Sequence, residues 1–373
     1  MAVSHDGASG PPISAVRAAA YTVPTDEPEA DGTFAWDSTT IVVVHVEAGG
    51  ATGVGYTYGP AALVGIISEL LEPAVCGGNA FAVPASAEAM ARALRNAGQS
   101  GAGAYAASAV DCALWDLAAR LAGLPLHRFL GAARAEVPVY GSGGFTTYTD
   151  SRMEDQLLGW VAQGIPRVKI KIGQDRGASE ARDIERMARA RETVGPSVEL
   201  FVDANGAYTP KQAIRVAHAA READFSWFEE PVSSEDLAGL RLVREQVSAD
   251  VAAGEYLTRL AEAERMCGAG AVDCLQADVT RCGGITVWLR VAAVAQAHGL
   301  GFSGHCAPAI SAAAAAAAPG LRHLEWFHDH VRLEPLLFEG TLDPHGGVIV
   351  PEEGRPGNGL TFRAADAERF RVG

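Results

Sequence analysis

Lysine is nearly missing from this sequence. Across 373 residues it occurs only at Lys169, Lys171 and Lys211, and every other basic side chain is arginine. Arginine does not deprotonate in proteins, whereas lysine can act as a base. Two of the three lysines stand one residue apart, which makes them a lead. Other absences exclude whole classes. No apolar stretch reaches the roughly 18 residues that span a bilayer; Ala312–Ala318 is short and stops at Pro319-Gly320. Met1–Pro12 has no basic residue and no apolar core, so no secretory leader is expected. The six cysteines form no CxxC pair. Free thiols in a cytoplasmic protein are expected, none of them a nucleophile or ligand. Basic charge is short as well: Lys+Arg 30 against Asp+Glu 45 leaves a net −15. That balance excludes nucleic acid and anionic membrane surfaces as partners. What is present is apolar: a 48% hydrophobic content supports a sizeable core and rules out disorder over most of the chain.

The grammar changes once along the chain. Residues 1–12 are Gly/Ser/Pro-rich and read as a loose tail. Residues 13–130 read as α+β, strands first and helices after. A strand is expected at about 13–22. Residues 24–39 carry turn and charge signals without a period and read as a long loop of the lid kind. Thr40–Glu47 and Gly53–Tyr58 read as a hairpin, followed by helical patterns near 60–72, 85–96 and 102–122. From about 131 to 339, eight short apolar runs alternate with helical segments: VPVYGS, RVKIKIG, ELFVDAN, FSWFEEP, DVAAGEY, AVDCLQAD, LGFSGH and RHLEWF. Strand–helix alternation implies a parallel sheet, and eight runs fit a closed (β/α) barrel of the TIM type. GSGGF at 141–145 lacks the GxGxxG spacing of a dinucleotide-binding turn.

Barrel strands carry their chemistry at their C-terminal ends. Those ends read Lys169 and Lys171, Asp203 with Asn205, Glu229 with Glu230, Glu255, Asp278, His305 and Glu325. Asp203, Glu229 and Glu255 are each 26 residues apart, on three consecutive strand ends. Three converging anions repel unless a cation lies between them. An all-oxygen set suits Mg²⁺, or Mn²⁺, rather than Zn²⁺. Lys169 and Lys171 share one strand face, which in a barrel is the inner one. A lysine buried among Val168, Ile170 and Ile172 is expensive without a task. His305 ends a later strand and Asp278 the one before it, a pairing that fixes an imidazole's tautomer and raises its basicity. A metal between two opposed bases fits removal of the proton next to a metal-bound carboxylate, the ion stabilising the enediolate. Glu325 is placed to hold a proton against the second carboxylate oxygen.

At these residues the sequence resembles the enolase superfamily, in its mandelate racemase subgroup. The motifs are VKIKIG, VDANGAY, WFEEP, AAGEY, LQADVTRCGGIT, SGHCAP and HLEWF. Upstream, AAYTVPTDEPEADGTF and SAVDCALWDLAARLAGLPLHRFLG look like that family's capping domain. The resemblance implies a modified TIM-type barrel with an α+β cap formed by the N-terminal region and by residues 340–373 returning to it. It implies that Asp203, Glu229 and Glu255 ligate Mg²⁺. Lys171 is then the base on one face, with Lys169 beside it. His305 with Asp278 is the acid/base on the other, Glu325 the electrophilic glutamate, and Asn205 a substrate contact. It also implies a homo-oligomer, from dimer to octamer.

Both bases are present, so dehydration, racemisation and cycloisomerisation are all chemically open. The expected reaction is dehydration of a sugar acid to a 2-keto-3-deoxy acid, with racemase or lactone cycloisomerase as the alternative. The polar residues of 24–39 suit a polyol, and Phe34 and Trp36 suit exclusion of water. Trp36, Ser142 and Arg281 are further substrate-contact candidates. A non-catalytic barrel would lack a ligand or a base, and none is missing. A Schiff-base aldolase would explain Lys171 but not three converging carboxylates.

Overall fold

The computed structural model describes residues 10–372. Eight parallel strands close into a barrel, one for each apolar run: β4 (Val137–Gly143), β5 (Arg167–Lys171), β6 (Glu199–Asp203), β7 (Phe225–Glu229), β8 (Asp250–Ala253), β9 (Cys274–Ala277), β10 (Gly301–Gly304) and β11 (Leu321–Phe327). β11 pairs with β4 and completes the ring. The strands are short and almost wholly buried, as parallel strands covered by helices must be. Their inward side chains fill the centre in layers. Tyr140, Phe201, Trp227, Ala252 and Cys274 form a packed apolar layer inside the barrel. Register then places Lys171 beside Asp203 and Asp203 beside Glu229, two residues further along their strands than Lys169, Phe201 and Trp227.

Ahead of the barrel lies an antiparallel sheet of β1 (Ile13–Ala30), β2 (Ala35–Ala48) and β3 (Ala51–Tyr58). The helix Ala102–Leu121 packs across it. Gly53 and Gly55 permit that approach: a Cβ there would lie 2.2 Å from the Ala113 carbonyl oxygen and 2.3 Å from that of Ala109. The end of the chain divides its contacts. Val348–Ile349 pairs antiparallel with β4, whereas Arg371–Val372 adds a fourth strand beside β1. Asn358 donates its backbone N–H to Asp116 and its amide to the Val54 carbonyl.

Two expectations change. Residues 24–39 are not a long loop but the outer half of a hairpin arm. Pairing runs to Pro24–Ser38, slips, and resumes at Glu29–Trp36 and Ala30–Ala35. Pro24, Pro28 and the slip erase the alternation by which a strand is recognised, while the backbone ladder persists. Of the expected loose tail, residues 1–9 lie outside the described residues. Pro12 forms a bridge to Asn79, and Pro11 accepts the Ala80 N–H. No described helix is long and apolar enough to cross a membrane.

Candidate active site

β5 ends in alternating lysines, and both side chains turn inward. Lys169 Nζ lies 2.7 Å from Glu229, 2.8 Å from Glu325 and 3.4 Å from Asp203. Lys171 Nζ lies 2.5 Å from Asp203. Burial disfavours charge on either lysine, but the facing carboxylates override it: Glu229 first for Lys169 and Asp203 for Lys171 hold both ammonium groups above the ordinary lysine range.

Asp203, Glu229 and Glu255 are buried, and one oxygen of each lies within 4.8 Å of the others. Burial, then the Asp203 charge, pushes the Glu229 carboxyl up to about 8. Such crowding of acids is what a cation relieves. Buried oxygens of Glu230, Glu255 and Asn205 have no hydrogen-bond partner. Hard oxygen donors, mutual repulsion and orphaned acceptors together fit a divalent cation of the Mg²⁺ type.

His305 lies on the far flank. Its Nδ1 is 2.7 Å from Asp278, whose other oxygen accepts the Thr280 N–H at 2.6 Å and hydroxyl at 2.7 Å. Its Nε2 is 3.2 Å from Glu255 and 3.5 Å from Glu325. Burial opposes charge on His305; Cys306, Glu255, Glu325 and the Asp278 hydrogen bond override it and hold the imidazole well above its ordinary pKa. Around the ring the order is Lys171 on β5, the three carboxylates at the ends of β6, β7 and β8, Asp278 after β9 and His305 after β10. Lys171 and His305 therefore flank the carboxylates from opposite sides.

The remaining candidates fall differently. The Asn205 backbone N–H is held by Asp203, and its side-chain oxygen is free. Trp36 joins a wall of Phe145, Tyr148, Phe327 and Cys306, its indole N–H bound to Glu29. Ser142 and Arg281, expected as substrate contacts, are turned onto the machinery itself. Ser142 donates to Glu325 at 2.6 Å, and Arg281 pairs with Glu255 at 3.2 Å and Asp278 at 3.3 Å. Glu325 also accepts the Cys306 N–H. Burial opposes ionisation of Glu325, but Lys169, His305 and Lys171 hold its carboxyl below the usual range.

Two residues of the mouth escape a reading by strand period. Glu230 follows Glu229 and by alternation should face outward. Its φ of 37° turns it back, and it is buried. Cys306 likewise follows His305 with a φ of 48°, and Ala307 with 45°. Left-handed non-glycine residues just past strand ends carry no clear sequence signal.

With this geometry in view, the comparisons are decisive. The model for the mandelate racemase / muconate lactonizing enzyme N-terminal domain matches residues 17–131, and that for the enolase C-terminal domain-like family matches residues 152–367. The chain belongs to the enolase superfamily, in its mandelate racemase subgroup. Within it, a mandelate racemase/muconate lactonizing enzyme-like protein from Rubrobacter xylanophilus has 52% identity and a TM-score of 0.94, covering 97% of this chain and 100% of that one. A 3,6-anhydro-alpha-L-galactonate cycloisomerase of Streptomyces coelicolor is 32% identical over 97% of this chain and 100% of its own. The L-talarate/galactarate dehydratase of Salmonella typhimurium, solved with Mg and L-lyxarohydroxamate, has 27% identity and a TM-score of 0.91, covering 100% of this chain and 96% of that one. This enolase-superfamily protein thus shares its fold with both dehydratases and cycloisomerases of sugar acids.

Proposed function

We propose that the chain dehydrates a sugar acid, an aldonate or aldarate, to a 2-keto-3-deoxy acid. The observation that carries this reading is the position of Lys171 and His305 on opposite flanks of one carboxylate triad. Asp203, Glu229 and Glu255 would hold Mg²⁺, or Mn²⁺, which supplies positive charge against the substrate carboxylate and so acidifies the adjacent C–H. With the Asp203 charge taken up by the cation, Lys171 would lose the partner that holds its proton and serve as the general base for the α-proton. Lys169, fixed between Glu229 and Glu325, adds positive charge beside it. His305, oriented by Asp278, gives a proton to the departing β-hydroxyl. Glu325 stands against the second carboxylate oxygen, steadied by Ser142. Asn205 and Trp36 contact substrate. Arg281 acts through Glu255 and Asp278 and holds them in place.

The full-length likeness to a cycloisomerase favours a second reading, in which the same bases move a proton without expelling water. One experiment separates them. A library of sugar acids and lactones is incubated with the Mg²⁺-loaded protein in D₂O. A 2-keto-3-deoxy product is expected. Deuterium at the α-carbon without keto acid, or keto acid formed only from a lactone and with no loss of water, selects the second reading. No turnover and no α-exchange on any carboxylate rejects both.

A further inference from the structure

Beside the oxygen triad lies a second cluster of potential ligands with different chemistry. His305 Nε2, Cys306 Sγ and Glu325 Oε2 are all buried. The sulfur is 3.3 Å from the imidazole nitrogen and 3.2 Å from the carboxylate oxygen, and that nitrogen and oxygen are 3.5 Å apart. A tetrahedral zinc ion, with bonds of about 2.3 Å to sulfur and about 2.0–2.1 Å to nitrogen or oxygen, separates its ligands by about 3.3–3.6 Å. The three edges already agree with that to within a few tenths of an ångström. The reaction has no use for the thiol, yet successive left-handed residues at 306 and 307 aim it at His305. A further anion is close by: a buried Glu255 oxygen without a hydrogen-bond partner lies 3.2 Å from the same nitrogen.

We infer that His305, Cys306 and Glu325 form a site for a thiophilic divalent cation such as Zn²⁺, distinct from the oxygen triad, whose occupation silences the His305 flank. The two sites differ in hardness. Three carboxylates suit Mg²⁺, whereas an N/S/O set prefers Zn²⁺ or Co²⁺ and binds Mg²⁺ poorly. On binding, the Cys306 thiol and the His305 Nε2–H each release a proton to solvent as the sulfur–metal and nitrogen–metal bonds form. The Nε2 lone pair goes to the metal, so His305 can neither give nor accept a proton there. The fourth corner is left to water.

The test needs no substrate, so it stands or falls separately from the reaction proposed above. The full-length protein is held in excess Mg²⁺ and titrated with Co²⁺. One Co²⁺ per chain and a sulfur-to-cobalt charge-transfer band in the near ultraviolet are expected, and Zn²⁺ should abolish the band. Cys306→Ser should remove the band and weaken Zn²⁺ binding at least about tenfold, a loss that even the partners behind metal ligands cause. Glu325→Gln leaves the thiol in place and should weaken Co²⁺ binding by a similar factor, which covers the case of a misfolded serine variant. The inference is overturned by a band that survives Cys306→Ser, by no band in the parent protein, or by displacement of Co²⁺ with excess Mg²⁺.

Discussion

The two flanks of the site are built in different ways. The lysine flank is a stretch of regular strand. Lys169 and Lys171 are two residues apart on β5, and pleating alone sends both inward. The histidine flank is assembled from turns past strand ends and from the cap. The turn at Thr280–Thr286, just past Asp278, is gripped by the cap: Asp111 accepts the Thr286 N–H and hydroxyl, and Ser108 accepts the N–H groups of Gly283 and Gly284. The turn after His305 is held by His330, which accepts the Ala307 N–H and stacks on Tyr58 of the cap at 3.5 Å. Burial pushes His330 down to about 4, so it is neutral and able to accept. Lys171 takes its direction from the strand that carries it, whereas the turn that carries His305 is braced by a second domain.

The sharpest way to break this symmetry of function is at the bases. Lys171→Ala should lower turnover by about 10²–10⁴-fold or more, and near-parent rates would remove it from the mechanism. If elimination is stereospecific, α-carbon exchange with solvent deuterium should survive in His305→Asn and vanish in Lys171→Ala. Exchange in both variants, or in neither, would mean the flanks do not divide the labour as described. Next in size is Asp278→Asn, which keeps the shape but loses the anion behind the imidazole. Partners of this kind typically contribute about 10- to 100-fold. The rate of α-proton exchange should fall much less than the rate of product formation, and an equal fall in both would tie Asp278 to the lysine flank instead.

The bracing of the histidine flank makes a prediction about pH. Glu334 accepts hydrogen bonds from Tyr56 at 2.5 Å and Tyr58 at 3.3 Å, and burial pushes its carboxyl up from 4.5 to about 7. A carboxyl raised on folding binds more protons folded than unfolded in that interval, so stability falls as pH rises from about 4.5 through about 7. The loss is bounded by about 3 kcal/mol at 1.36 kcal/mol per unit. Glu334→Gln should make thermal stability less dependent on pH, leaving residual slopes from Asp111 and Glu29, pushed up by burial to about 7 and about 9. Parallel slopes would show that Glu334 does not carry the effect. The smallest expected effect is at Ala307. Glycine there should stabilise the protein by about 0.5–1 kcal/mol, the left-handed penalty less glycine's extra chain entropy. A lower melting temperature would show that the turn is held by more than local backbone preference.

This contrast also explains what was legible in the sequence. All eight barrel strands were readable, because buried parallel strands are short apolar runs and their last residues keep register. Lys171, Asp203, Glu229, Glu255, Asp278 and His305 come together because each sits at or just past such a run. Glu230 is legible only as the neighbour of Glu229 at its strand end, and Cys306 not at all, since a left-handed turn reverses the face that alternation assigns. The arm of β1 and β2 was misread for a related reason: prolines and a slipped register remove the sequence period but not the backbone pairing. Which carboxylate Ser142 and Arg281 each grip depends on neighbours brought in from distant strands.

The tip of that arm rests on the barrel rim at Gly32. A Cβ there would lie 2.7–2.9 Å from the carbonyl oxygens of Ile172, Gly173 and Ala204. The Gly32 carbonyl accepts the Arg176 N–H, and Ala30 accepts that of Thr146. The contact is backbone on backbone at Gly32, and the Thr146 hydroxyl adds bonds to the Ala30 and Asp31 carbonyls. Movement past the tip must wait for displacement of the hairpin, on the ns–μs scale of loops rather than the ps–ns scale of exposed rotamers. An occupant that had to leave past this tip would have its dwell time set by main-chain motion, independently of the side chains at the strand ends beneath.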